Sequence, residues 1–176
     1  MGAMQRFYQG FGAALLLGLF VLVGVFLYVR FGFVDIRADI PVTSVEKAVA
    51  MPAVDASVDR LAPHVHDPVP PTQTNLVAGM KLYQMNCAMC HGDIGQPHAA
   101  LAGALYPRPP QFVEDAPDMP PNQNFFILQH GIRWTGMPAW KQSLSDRQLW
   151  QLTTFLSEMD KLPPDVAAQW KAATGE

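Results

Sequence analysis

Cys87-Ala88-Met89-Cys90-His91 sets two thiols three positions apart, with an imidazole immediately after the second. Thiols at that spacing can add across two vinyl groups held a fixed distance apart on one planar ring. The adjacent imidazole then reaches one face of a metal at the ring's centre, and C-x-x-C-H is the attachment pattern of c-type haem. The same cysteines would suit a redox dithiol in a βαβ setting, or a zinc site beside a second ligand pair; the sequence offers neither. They are the only two cysteines in 176 residues, too few for a disulfide-dense scaffold. His64 and His66 form a second ligand-like spacing, H-x-H. A structural metal site usually takes four ligands, so these two are expected to be solvated surface side chains.

An iron held by one imidazole needs a second axial group, and sulfur is one candidate. Among the methionines that follow His91, Met119 and Met137 precede prolines, 28 and 46 residues after it. Met137 stands in a Thr-Gly-Met-Pro turn, between flexible Gly136 and stiff Pro138. Met119 lies just before an expected helix, Asn122 to His130. Met85 and Met89, on or beside the first helix of this region, suit packing. His98 and His130 are further imidazoles, and His130 before Gly131 reads as a helix end, where a cation favours the dipole. Trp134 and Trp140 flank the Met137 turn, as walls of a site, as hydrogen-bond donors or as core. No carboxylate pair, nucleophile triad or phosphate loop appears, so no catalytic residue is assigned. A net charge of −3 and a pI of about 5.9 give no reason to expect nucleic acid.

Two helices must position these groups. Asn75 to Cys87 has Gly79 and Tyr83 on one face at i, i+4. From Ser145, a capping residue, Leu149, Leu152, Leu156 and Met159 repeat at helical spacing.

Together these stretches resemble the class I cytochromes c, specifically small bacterial membrane-anchored monohaem cytochromes, over about Asn75 to Lys161. The resemblance implies an all-α fold around one covalent haem c, attached through Cys87 and Cys90, with His91 and Met137 as iron ligands. HGDIGQP looks like the loop in which a proline carbonyl holds the proximal histidine's other nitrogen, which points to Pro97. YPRPPQF looks like a stretch where an arginine meets a haem propionate, which points to Arg108. Trp140 is placed beside the haem, and Gly79 where the first and last helices approach. Single-electron transfer is implied, not catalysis and not a small-molecule substrate. The rival readings are a freely tethered shuttle to a terminal oxidase and a five-coordinate haem sensor or enzyme.

Upstream, Phe7 to Val29 is an apolar run with no Asp, Glu, Lys or Arg. About 20 residues cross a bilayer core, whereas a signal peptide's apolar stretch runs to about 7–15. Residues 7–29 are therefore expected to lie in membrane lipid as an uncleaved anchor, with small residues Gly10, Ala14 and Gly18 on one face for another helix. Haem attachment of this kind takes place outside the bacterial inner membrane, so the haem domain is expected in the periplasm. The expected organisation is an anchor (1–30), a Pro-rich connector (31–74), a haem domain (75–162) and a tail (163–176). Thr43 and Glu46 have capping-box spacing, so the connector is expected to hold a short helix from Ser44 to Met51, stopped by Pro52. A second is expected from Asp55 to Leu61, then an extended HDPVPPT run. The connector's aliphatics are too few for their own core. They suggest a chain laid over the next domain or on subunits of an integral membrane redox complex.

Overall fold

The computed structural model describes residues 2–174, and the chain divides into two units, 1–37 and 38–176. Residue 1 and residues 175–176, the outer ends of the expected anchor and tail, lie outside the described residues. The first unit is helix α1, Gly2–Arg30, continuous through the apolar run and closed by Arg30 in its last turn. Its 29 residues span about 43 Å, more than a hydrocarbon core of about 30 Å. By length and composition it can cross a membrane.

Among the described residues, the second unit is all-helical. It comprises α2 (Ser44–Leu61), α3 (Gln73–Asn86), α4 (Ala88–His91), α5 (Pro121–His130), α6 (Asp146–Ser157) and α7 (Pro164–Ala173). Short 3-10 turns lie at Ala102–Ala104 and Trp140–Gln142. Helix α6 starts where the sequence signals it. The Ser145 hydroxyl accepts from the Gln148 N–H, and the Gln148 side chain accepts from the Ser145 N–H at 2.9 Å. Its inward face, Leu149, Leu152, Phe155 and Leu156, is buried, as are Leu76, Met80 and Tyr83 of α3. Each such side chain contributes about 1.5–3 kcal/mol by leaving water.

Gly79 sets the separation of α3 and α6. A Cβ built on it would lie 2.2 Å from the Gln151 carbonyl oxygen and 2.6 Å from the Phe155 Cβ. Only a hydrogen fits there, and Gln151 Nε2 then reaches Asn75 Oδ1 at 3.1 Å. Helix α5 packs on α6 through Phe125 and Trp150, whose rings stack at 3.9 Å.

Two expectations are corrected. The connector does not hold two helices broken at Pro52: α2 runs unbroken through it. Pro52 is exposed, so the carbonyl that loses its intrahelical partner faces water rather than a dry core. The Thr43–Glu46 capping box forms, and at the other end Val58 and Ala62 are buried while the Gln123 and Asn122 side chains of α5 donate to Asp59 and the Pro63 carbonyl. The extended run after α2 lies on α6, where Thr154 Oγ1 donates to Asp67 at 2.8 Å. The second correction concerns residues 163–176, which hold α7 rather than a plain tail. Pro164 opens it in the first turn, and Val166 and Trp170, four apart, are buried against the core.

Candidate haem site

The attachment motif sits at a tight junction. Helix α3 ends at Asn86, Cys87 bridges, and α4 is a single turn ending at His91. Cys87 and Cys90 are free thiols, Cys87 buried and Cys90 half-buried. Burial, with the neighbouring Cys90 adding to it, pushes the Cys87 thiol up to about 12, so it stays protonated at neutral pH.

His91 is buried, and its ring is fixed on two sides. Its Nδ1 lies 2.9 Å from the Pro110 carbonyl oxygen, and the ring stacks on Phe112 at 4.2 Å and 8°. A carbonyl only accepts, so Nδ1 must carry the proton and Nε2 presents its lone pair. Burial lowers the His91 pKa below the usual 6.5, with the Pro110 hydrogen bond opposing. Both effects suit a metal ligand: a neutral ring in one tautomer.

The proline that holds His91 is therefore Pro110, not Pro97. Asp93 and Gln96 pair through their backbones at 3.0 and 2.9 Å, and this turn folds Pro97 back over Gly92. Gly92 adopts φ +86°, and a Cβ there would lie 2.5 Å from the Pro97 oxygen. The segment 109–112 takes Pro97's expected place. Phe112 N–H donates to the His91 carbonyl at 2.9 Å, and Gln111 Nε2 donates to the Cys90 carbonyl at 3.1 Å. Gln111 Oε1 also accepts from the Ala99 N–H at 2.7 Å, so one side chain ties three loops around the motif.

Behind the motif, the Tyr83 hydroxyl donates to the Gly92 carbonyl at 2.6 Å. Trp170 of α7 packs on Tyr83 and Phe155, and its Nε1 donates to Asp93. The sequence reading missed this clamp; Val166 and Trp170 at i, i+4 after Pro163-Pro164 were the signal for it.

Further along the chain, Met137 is half-buried against the core, and its loop is closed by its own hydrogen bonds. Ile132 N–H donates to the Met137 carbonyl at 3.2 Å, and Met137 N–H donates to Thr135 Oγ1 at 3.0 Å. Gly131, at φ +65°, lets Met137 and Pro138 pass: a Cβ there would meet the Met137 oxygen at 2.6 Å. Gly136 rests on Leu105. Met119 is also half-buried, but its carbonyl is engaged by Asn124 Nδ2 at 2.9 Å at the start of α5.

Trp140 is half-buried, and its Nε1 is shielded from solvent with no hydrogen-bond partner. A buried donor left unpaired is costly. It calls for an acceptor supplied from outside the chain, and a haem carboxylate is of that chemistry. Arg108 is exposed, and among the described residues no carboxylate pairs with it. His98 is exposed beside Glu114 at 3.2 Å, and His130 is exposed at the end of α5. His64 and His66 are exposed, and no cluster of three or more metal-ligating His, Cys, Asp or Glu side chains occurs among the described residues. Trp134, on the other side of the Met137 turn, is 90% exposed and so is not part of the core. The donor set, two unpaired thiols, an oriented imidazole, a thioether and an orphan indole N–H, fits haem c.

Residues 74–156 match the family described as "Cytochrome C oxidase, cbb3-type, subunit III". The domain is a c-type cytochrome. The match covers a little under half of the chain, and this cytochrome domain contains the attachment motif and the Met137 loop. A comparison with curated proteins gave no match. Among solved structures, a chain of the "Kuenenia stuttgartiensis reducing HAO-like protein complex Kustc0457/Kustc0458" is similar at 22% identity and a TM-score of 0.46. The alignment covers 67% of this chain and 61% of that one.

Proposed function

We propose that this cytochrome is a membrane-anchored, monohaem carrier of single electrons. Cys87 and Cys90 would hold the haem covalently, and His91 and Met137 would ligate its iron. Bound there, the group supplies a one-electron iron couple. The observation that carries the reading is the His91 ring, whose Nδ1 proton is committed to Pro110 and whose Nε2 is left as a ligand. The chain's part is positioning: Phe112 fixes the ring plane, Gln111 locks the motif, and the closed 131–138 loop presents one sulfur. An iron held by both His91 and Met137 would leave no position for substrate, so electron transfer is favoured over catalysis.

Helix α1 is read as an anchor in the bacterial inner membrane, with the cytochrome domain in the periplasm. The docked connector and the matched family's description, an oxidase subunit, support a resident subunit of a larger electron-transfer complex over a free shuttle.

The test is ligation. In the purified full chain, acid acetone should fail to extract haem, and the reduced protein should bind no carbon monoxide. Met137→Ala should open a position, admit carbon monoxide and remove the weak sulfur-to-iron band of the oxidised spectrum; Met119→Ala should do neither. Carbon monoxide binding by the wild type would replace this reading with a five-coordinate sensor or enzyme.

A further inference from the structure

The loop that presents Met137 has a tip that nothing in the domain uses. Thr135 N–H and Oγ1 both donate to the Ile132 carbonyl, at 3.3 and 2.7 Å, closing a tight turn with Arg133 and Trp134 at its apex. Trp134 is 90% exposed, the largest hydrophobic side chain left in water outside α1 to such a degree. Its backbone is left-handed, at φ +60°, the only non-glycine residue among those described with positive φ. Bulky side chains avoid that region, and such strain concentrates where a residue is held for use. The Arg133 guanidinium lies 5.8 Å from the Trp134 ring centroid, which stiffens the ring and puts a positive charge beside it. From Pro120 to Ser145 the sequence carries Arg133 and Lys141 and no Asp or Glu, in a chain whose net charge is −3. Tryptophan and arginine are the residues most enriched at the energetic centres of interfaces.

We propose that this tip docks an acidic redox partner protein, with Trp134 as the apolar anchor and Arg133 as the charge that selects it. The proposal rests on the electron-carrier reading above and adds where the partner lands. Trp134 is three residues from Met137, so their Cα atoms lie within about 11 Å of each other, three residues' length of extended chain. A partner gripping the ring is thus brought close to the residue proposed as axial ligand. The positive stretch steers a negative surface toward the loop, and the ring sets the lifetime of the complex.

The experiment uses the full chain in detergent, reduced and mixed in a stopped-flow instrument with two oxidants. One is oxidised plastocyanin, a small blue-copper protein with an acidic face; the other is benzoquinone, small and neutral. Trp134→Ala, and Trp134→Gly to suit the left-handed backbone, should slow the reaction with plastocyanin by about thirtyfold or more, the loss that defines a hot spot. Both should leave the benzoquinone rate and the absorption spectrum unchanged. Trp134→Phe should keep most of the plastocyanin rate, and Arg133→Glu should slow it and flatten its dependence on salt. A wild-type plastocyanin rate in Trp134→Ala, or equal slowing with both oxidants, overturns the proposal. So does quenching of Trp134 fluorescence by brominated phosphatidylglycerol in proteoliposomes, read as the difference from Trp134→Phe, because the ring then rests on lipid. If the wild type carries no covalent haem, or neither oxidant reacts with it, the electron-carrier reading itself fails, and the docking proposal with it.

Discussion

Gly79→Ala tests whether the α3–α6 interface is as close as the geometry requires. The new Cβ would start 2.2 Å from the Gln151 oxygen, 2.6 Å from the Phe155 Cβ and 2.9 Å from the Gln151 carbonyl carbon. Ordinary contacts between such atoms are nearer about 3.5 Å, so the helices must part by about 1 Å. Two of the three obstacles are backbone atoms, which cannot rotate away. Overpacking of this kind costs about 1–3 kcal/mol, and the rigid obstacle puts it at the upper end. Alanine returns about 1 kcal/mol of helix propensity. The expected net loss is about 2 kcal/mol, or about 8 °C in melting temperature for a unit of this size. Thermal melting of the purified protein, followed by circular dichroism, reads it. Gly103→Ala is the control, because its Cβ would meet nothing closer than an Arg108 nitrogen at 3.9 Å. A Gly79→Ala protein that melts at or above the wild-type temperature would refute the close approach.

Trp170→Phe keeps a ring against Tyr83 and Phe155 but removes the donor to Asp93; the denaturant midpoint should fall by the equivalent of about 1.5–3 kcal/mol, the worth of a hydrogen bond to a charged group. Without haem bound, His91 has a folded pKa depressed by burial, so its contribution is complete above about pH 6.5 and is lost as pH falls through the lower folded value. In the haem-free chain the denaturant midpoint should decline as pH falls below about 6.5, and a midpoint that rises on acidification would contradict the burial of His91. For the anchor, a single cysteine label placed before Arg6 should react only from the cytoplasmic side and one at Thr174 only from the periplasmic side; a mature chain beginning after residue 30 would make α1 a removed signal instead.

What could be read in the sequence was local. Ser145 announces α6 because a cap and its Gln148 partner sit three residues apart, and the Met137 turn is legible because Gly136 and Pro138 border it. The partner of His91 was not legible, because Pro110 lies nineteen residues downstream, across a loop whose path depends on tertiary packing. Pro97 was the nearer proline in sequence, but the Asp93–Gln96 turn aims its carbonyl at Gly92. A trace of the answer was present in Arg108-Pro109-Pro110-Gln111. Two consecutive prolines cannot continue a helix, so the extended segment they form leaves carbonyls free for side-chain donors. Helix α7 was overlooked for a related reason: two apolar residues four apart are a weak periodic signal, and their value lies in the Tyr83–Phe155 surface they cover.

In the connector, a propensity rule yields to its surroundings. Proline inside a helix costs about 3 kcal/mol where the lost bond is buried and the ring must clash. In α2 the proline is solvent-facing, the start is held by the Thr43–Glu46 box, and the end is held on α5. The Glu46 carboxylate is held below the usual range, first by the Thr43 hydroxyl of that box and then by the Tyr106 hydroxyl. One helix of 18 residues, about 27 Å long, is therefore tied to the cytochrome domain through its C-terminal end. Residues 31–43 are the stretch between α1 and α2, which spans at most about 43–47 Å when fully extended. A 44-residue free tether from 31 to 74 would have allowed roughly 145 Å. The aliphatics on the outer side of α2, Val45 and Val49, remain exposed although Val58 and Ala62 are buried. A short leash and a helix with one apolar side spent on its own domain and another left open favour a cytochrome kept beside a fixed neighbour.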